Sequence, residues 1–546
     1  MIKGWRTTLH FWSRRGDFLK KTACIMVLSS FALSWMILSL SPKQPASLTM
    51  DPLEQKIRQD WQALRNAKTS QPRDLARWLR LLLPNLQDIA DALAVEATTL
   101  PQYEKSGDLL TYAVRPLITQ HTTSHESKQL LQDYLTAYLG DNTALALQAS
   151  QSLQQKAQQL TPPALANELY ASLLLRQKDE AGAMAAFLRE GSQFKEATQA
   201  REKACLLAIK LKDKATLQVV VQLGWPAELS GHMEHRIGAQ VRDLAMEWRG
   251  LLRDRLDTLR YHELALALLS ALLWFFILVQ HIPANHWRWL YPILPLLAGI
   301  ASIWPTISLV IWQKNFMGIT DDVPFPYDVW HLIIGVGLRE EACKLALAAL
   351  FMPWLVWKRL PGIALMTGAF VGLGFALEEN LDYFEKAGAG GGIALVRFLT
   401  ANFMHVAMTG LTTHALYDLL RSRFHRAQDF LITFFSVVVA HAVYDYDFDL
   451  MGMQALASYI PMIILGFTAW RFWDQVEIEM PHSRQLISPS AVFLLGTALI
   501  ISCSFLLTAY SPATHEALIN SALSCVSVLT ATIIYWKRFE NHLTRR

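Results

Sequence analysis

Nearly everything after residue 262, and the stretch 22–41, falls into apolar blocks long enough to cross a bilayer, whereas residues 44 to about 258 are polar and charged. A crossing helix needs about 20 mostly apolar residues. The pattern makes the chain a polytopic membrane protein with one sizeable soluble domain. At 546 residues there is room for both, and 52% hydrophobic content with a mean hydropathy of +0.21 is too greasy for an ordinary soluble protein.

One block carries a further constraint. The run from about Val329 to Val356 reads Arg339-Glu340-Glu341-Ala342-Cys343-Lys344-Leu345 at its middle. Translocon scales put a mid-bilayer Asp, Lys or Arg at roughly 2.5 to 3.5 kcal/mol each, so such groups face a protein interior or a wet cavity and mark a functional site. Partners for them are expected on other spans.

The net charge of +4 comes largely from Lys and Arg beside the spans, so it speaks to topology; no basic and aromatic patch points to RNA or DNA, and no nucleic-acid partner is expected. The five cysteines include one in the soluble domain and no CxxC pair, which argues against a disulfide framework or a thiolate zinc site.

Lys3, Arg6, Arg14, Arg15, Lys20 and Lys21 precede an apolar run from Ala23 to Leu40. The h-region is long and the following Leu-Ser-Leu-Ser-Pro is a poor cleavage site, which favours an uncleaved anchor over a signal peptide. Between about Lys43 and Thr258 only helices are expected, broken at Pro101, Pro162-Pro163 and Pro226. Leu173 to Ala183 aligns with Leu207 to Leu217 at an offset of 34, the tetratricopeptide period, with Tyr138 to Leu147 as a degenerate earlier copy. Stacked helix-turn-helix units of this kind leave a concave surface for a peptide or protein; the rival is a helical bundle with a chance match.

Nine further apolar spans follow, at about 262–281, 290–312, 329–356, 362–383, 393–419, 429–447, 452–470, 490–510 and 517–536. With the anchor this makes about 10 transmembrane helices. Starting inside, the basic residues concentrate in the cytoplasmic segments, and the short outer loops hold only Lys314 and Lys386, so both termini are expected in the cytoplasm and the soluble domain outside it.

Four spans carry polar groups: Glu340, Glu341 and Lys344; Phe375, Glu379 and Asn380; Arg397 and His405; His441 and Asp445. Lys344 is four residues from Glu340 and three from Glu341, so it can neutralise either from the same helix face. His441 and Asp445 are i and i+4, a spacing that lets Asp fix the imidazole or join it at a metal. At 1.5 Å per residue, Glu340 and His405 lie roughly 16 to 18 Å from the outer ends of their spans, His441 about 9 Å and Glu379 about 6 Å, all in the middle or outer half of the membrane. His414 and Asp418 repeat the HxxxD spacing on the opposite helix face near the inner end, and are read as boundary residues.

Glu379, His405 and His441, with Asp445 as a further candidate, offer donors of the kind catalytic zinc sites use, with a position left for water. Either Glu340 or Glu341 is suited to take the proton of that water as it attacks a carbonyl. The other carboxylate and Lys344 would orient the site or stabilise the oxyanion. Gly335, Gly337, Gly368, Gly372 and Gly374 would let the helices approach closely. Arg397 is read equally as a site member or a snorkelling residue, and Cys343 as packing, since no His lies within one turn of it.

Glu340-Glu341-Ala-Cys-Lys344, Phe375-Ala-Leu-Glu-Glu379-Asn380, the isolated His405 and His441-Ala-Val-Tyr-Asp445, on consecutive spans, resemble the EExxK, FxxxEN, His and HxxxD motifs of the PrsW family of intramembrane metalloproteases, which is similar to the CAAX prenyl protease and bacteriocin-immunity group. The likeness implies Glu340 and Glu341 as the catalytic pair with Lys344, Glu379, His405 and His441 as ligands of a divalent metal such as zinc, and a membrane-anchored protein substrate in a bacterial-type inner membrane. Asn380, Asp445, Arg397 and Phe375 would support the site.

The expected organisation is a cytoplasmic N-terminus (1–22), an anchor (23–41), the helical repeat-like outer domain (43–258), the catalytic membrane domain (262–470), a cytoplasmic loop (471–489), two additional membrane helices (490–536) and a cytoplasmic tail (537–546). No HExxH, GxSG or GxGD pattern points to another intramembrane protease chemistry. Two further readings use the same residues. A proton- or ion-coupled transporter would need an inverted repeat with broken helices in both halves, and the polar set has no second copy. A non-catalytic scaffold or receptor would keep only the fold and the outer domain's binding role.

Overall fold

In a computed structural model of the chain, the described residues are 8–40, 129–130, 133–134, 137, 144–283, 287–318, 327–387, 392–446, 459–480, 487–510, 515–527 and 529–544. Helix makes up 85% of the structure and no strand occurs among these residues, so the fold is all-α. Most of 43–143 lies outside them, including the greater part of the suggested earlier repeat copy. The chain divides into two compact units, Gln44–Asp257 and the remainder, Met1–Lys43 with Thr258–Arg546.

The membrane-type unit opens with α1 (Gly16–Leu40), whose Phe31 meets Phe505 edge to face at 5.4 Å. The soluble unit then supplies α2 (Ala144–Ala157), α3 (Ala166–Arg176), α4 (Glu180–Gln193), α5 (Thr198–Lys210), α6 (Lys214–Gln222), the single turn α7 (Trp225–Glu228), α8 (Gly231–Val241) and α9 (Leu244–Thr258). The 34-residue offset reappears here as equivalent turns. Lys178 and Lys212 both take left-handed backbone angles, and the next residue in each case, Asp179 or Asp213, caps the following helix by accepting a backbone N–H three residues on. Ala183 and Leu217, also matched by the offset, are fully buried in the unit's core. Cys205 lies in that core; burial pushes its thiol up to about 12, which suits packing and not nucleophilic chemistry.

The rest of the membrane-type unit comprises α10 (Tyr261–Val279), α11 (Ile293–Ala301), α12 (Ile303–Trp312), α13 (Tyr327–Trp330), α14 (Arg339–Ala349), α15 (Met352–Lys358), α16 (Pro361–Ala387), α17 (Ile393–Leu399), α18 (Ala401–Arg421), α19 (Ala427–Tyr444), α20 (Tyr459–Glu479), α21 (Pro489–Tyr510), α22 (His515–Ser527) and α23 (Leu529–Thr544). Two of these apolar runs are broken. Ser302 turns its hydroxyl back on Gly299 O at 2.6 Å where α11 gives way to α12. The 329–356 run, expected as one span, is α13, a π-helix over His331–Leu338, α14 and α15, the last with Pro353 in its first turn.

Seven helices among the described residues are long and apolar enough to cross a membrane: Gly16–Leu40, Tyr261–Val279, Ile293–Trp312, Pro361–Glu385, Ile393–Arg421, Ala427–Tyr444 and Pro489–Tyr510. The other three expected spans fall on segments that are interrupted or carry several charges, α13–α15, α20 and α22–α23. Within the bundle α16 and α17–α18 lie at the centre, with 83% and 89% of their apolar windows buried, while α19 is a peripheral helix with 22% buried. Close approach of the central helices depends on two glycines. A Cβ at Gly372 would sit 2.1 Å from His405 O on α18, and one at Gly374 would sit 2.1 Å from Leu296 O on α11.

Candidate active site

The close contact of α16 with α18 sets Glu379 beside His405, and the π-helix delivers the first turn of α14 against α19. Gly337 makes that second contact: a Cβ there would lie 2.5 Å from Val438 O. Side chains from α14, α16, α17, α18 and α19 then meet in one connected network.

Glu341 is its best-partnered carboxylate. Its Oε1 faces Lys344 Nζ at 2.7 Å and His441 Nδ1 at 2.7 Å, and its Oε2 meets the Thr409 hydroxyl at 3.5 Å. Lys344, fully buried, also donates to His405 Nδ1 at 3.0 Å and places its ammonium 4.1 Å from the centre of the Phe375 ring. A lysine donating to Nδ1 makes that nitrogen the acceptor and leaves the ring proton on Nε2. Glu379 Oε2 lies 2.7 Å from that nitrogen. The same oxygen accepts Arg397 at 2.6 Å, and Arg397 Nε donates to Asn380 Oδ1, which ties in Asn402 through Asn380 Nδ2 at 2.7 Å. The Arg397 guanidinium lies over the Tyr383 ring, 3.8 Å from its centre. His441 turns Nε2 toward Asp445 Oδ2 at 3.0 Å and Glu340 Oε2 at 3.5 Å.

All ten residues singled out in the sequence thus fall in this network. Spacing alone did not find Thr409, Asn402 or Tyr383. Thr409 was accessible in principle, being four residues after His405 and so on the same face of α18. His414 keeps apart from the network, hydrogen-bonded to Glu479 at 3.1 Å.

Charge and hydrogen bonding test the site's fitness for a cation. Four carboxylates, Glu340, Glu341, Glu379 and Asp445, face two permanent cations, Lys344 and Arg397, and two imidazoles, His405 and His441, an acid-rich set for a bundle otherwise apolar. Glu340 Oε2 is buried without a hydrogen-bond partner, its nearest cationic neighbours being His441 at 3.5 Å and Lys344 at 3.6 Å. Among the described residues, Glu340, His405 and His441 each offer a ligand atom within 4.8 Å of the others. One carboxylate and two imidazoles around an unpartnered oxygen fit a divalent ion of the zinc type. Glu379, expected as the carboxylate ligand, is not in that group.

Residues 286–470 match the family model described as PrsW family intramembrane metalloprotease. Residues 286–470 are a PrsW-family segment. The PrsW match spans α11 to α19 and the first part of α20, with every network residue, and leaves out the soluble unit, α1, α10 and α21 to α23. No curated protein and no solved structure matches the chain. As a PrsW domain, the bundle is that of an intramembrane protease.

Proposed function

We propose that the chain is a ten-span zinc peptidase that cleaves a membrane-anchored protein in the outer half of a bacterial-type inner membrane. Both termini lie in the cytoplasm, and the extracytoplasmic helical domain, read as tetratricopeptide-like, recruits the substrate. The observation that carries the reading is the convergence of the four motifs in one largely buried network around the unpartnered Glu340 Oε2.

In this reading Glu340, His441 and His405 would hold the ion, His405 through Nδ1 in place of its Lys344 hydrogen bond, and Glu379 is the carboxylate that orients His405 through Nε2. An ion bound there would act as a Lewis acid on a peptide carbonyl and lower the pKa of water. Glu341 fixes His441 through Nδ1, so that Nε2 faces the Glu340 oxygen. Glu341 Oε2, met only by the long Thr409 contact, has capacity to take a proton from the attacking water. Lys344, between Glu341 and His405, supplies a fixed positive charge for the oxyanion. Arg397 and Asn380 hold Glu379 in place.

Co-expression with a set of single-span proteins tests the roles. Glu341→Gln should abolish cleavage while the purified protein still carries its metal; Glu340→Gln and His441→Ala should lose both. Identical fragment patterns in wild type and Glu341→Gln would remove the peptidase reading, and metal retained in Glu340→Gln would remove Glu340 from the ligand set.

A further inference from the structure

A polar cavity of about 520 Å³ lies between α18, α19 and α20, its His414 about 14 Å along α18 from His405. That volume is within the range of small-molecule sites. Much of its charge is internally matched: Arg426 donates to Asp418 at 2.8 Å, and Glu479 accepts from Gln475 at 3.2 Å and lies 3.1 Å from His414. Three lining groups have no such partner among the described residues, the guanidinium groups of Arg421 and Arg471 and the carboxylate of Asp429.

We propose that this cavity takes the headgroup of an ethanolamine phospholipid, its phosphodiester on Arg421 and Arg471 and its ammonium on Asp429. Guanidinium is the side chain best matched to phosphate oxygens, and two of them, Arg421 and Arg471, both exposed, line this one cavity. Asp429 repels a second anion and is complementary to a primary ammonium, which selects the zwitterionic headgroup over a glycerol one. The location agrees. Arg471 adjoins Trp470 and lies 5.7 Å from its ring centre, and Trp470 is 56% exposed, as an interfacial tryptophan is. On α19, Leu431 and Ile432 are exposed just past Asp429, a surface along which acyl chains can lie. Leu411 and Pro361 add apolar walls.

The test uses the full-length protein purified in mild detergent and examined by native mass spectrometry after exchange into mixed micelles of phosphatidylethanolamine and phosphatidylglycerol. Wild type should retain phosphatidylethanolamine, and Arg421→Gln/Arg471→Gln should lose it at least about tenfold, the worth of one charge-assisted hydrogen bond. Asp429→Asn, a single change at an exposed position, should bind both lipids alike. Two results would overturn the proposal: equal retention of the two lipids by wild type, or undiminished phosphatidylethanolamine on the double-arginine variant. Thermal stabilisation by inorganic phosphate or glycerophosphoethanolamine equal to that by the lipid would overturn it in favour of a soluble phosphate ligand.

Discussion

Lys344 is the residue on which the network's charge balance turns. It is fully enclosed and touches Glu341, His405 and the Phe375 face at once, with Glu340 at 3.6 Å. Lys344→Met keeps most of the side-chain volume but removes the lysine ammonium from between Glu341 and Glu340, leaving Arg397 and the two histidines to face the carboxylates. Breaking a buried pair by removing one partner costs about 3 to 5 kcal/mol, so the variant should unfold at distinctly lower denaturant in detergent; wild-type stability would mean that the pair contributes little. Part of this was legible, because i+3 and i+4 spacing ties Lys344 to Glu341 and Glu340 on any helix. Its bond to His405 was not, since that depends on the rotation of α14 against α18. The same limit explains Glu379. Depth along the helix placed it beside the histidines, but only side-chain geometry reveals that Arg397 and His405 share its Oε2, while Glu340 is the carboxylate with an unpartnered oxygen.

At the scale of elements, the α16 and α18 contact determines whether the motifs meet. Gly372→Leu places a side chain where even a Cβ would be 2.1 Å from a backbone oxygen, so the helices must part at the level of His405. Overpacking of this kind costs about 1 to 3 kcal/mol or more, readable as a lowered melting temperature. Gly466→Ala on α20 is the matched control: its new Cβ would have ordinary contact, 3.9 Å from Ile534, and should leave melting unchanged. Equal behaviour of the two variants would contradict the close packing. Its small size within an apolar span marked Gly372 as a residue of close helix approach, without naming its partner. What the sequence did not reveal was the interior of the 329–356 run, because a π-helix keeps the composition of an α-helix and differs only in where its hydrogen bonds fall.

For the whole molecule, hydropathy located the apolar helices but did not settle how many cross. Seven pass on length and composition, and the segment bearing Glu340 and Glu341 fails because its charges and breaks dilute it. Labelling decides the matter. On a background without the native cysteines, Ser192→Cys in the soluble unit and His425→Cys after α18 should react with a membrane-impermeant maleimide from opposite sides, because five crossings separate them if 329–356 spans. Reaction from the same side would mean four, and the carboxylate pair would lie on a segment that enters without crossing.

The burial of the reactive groups has a kinetic corollary. Glu341, Lys344, His405 and His441 are each 5% exposed or less. The network opens outward at Asp445 and Tyr383, so a scissile strand would enter from that side, and movement of the neighbouring helices, commonly on the microsecond to millisecond scale, would bring it to the enclosed groups. Substitutions on the exposed N-terminal half of α19, away from His441, would then tune the rate of such an enzyme without touching its site.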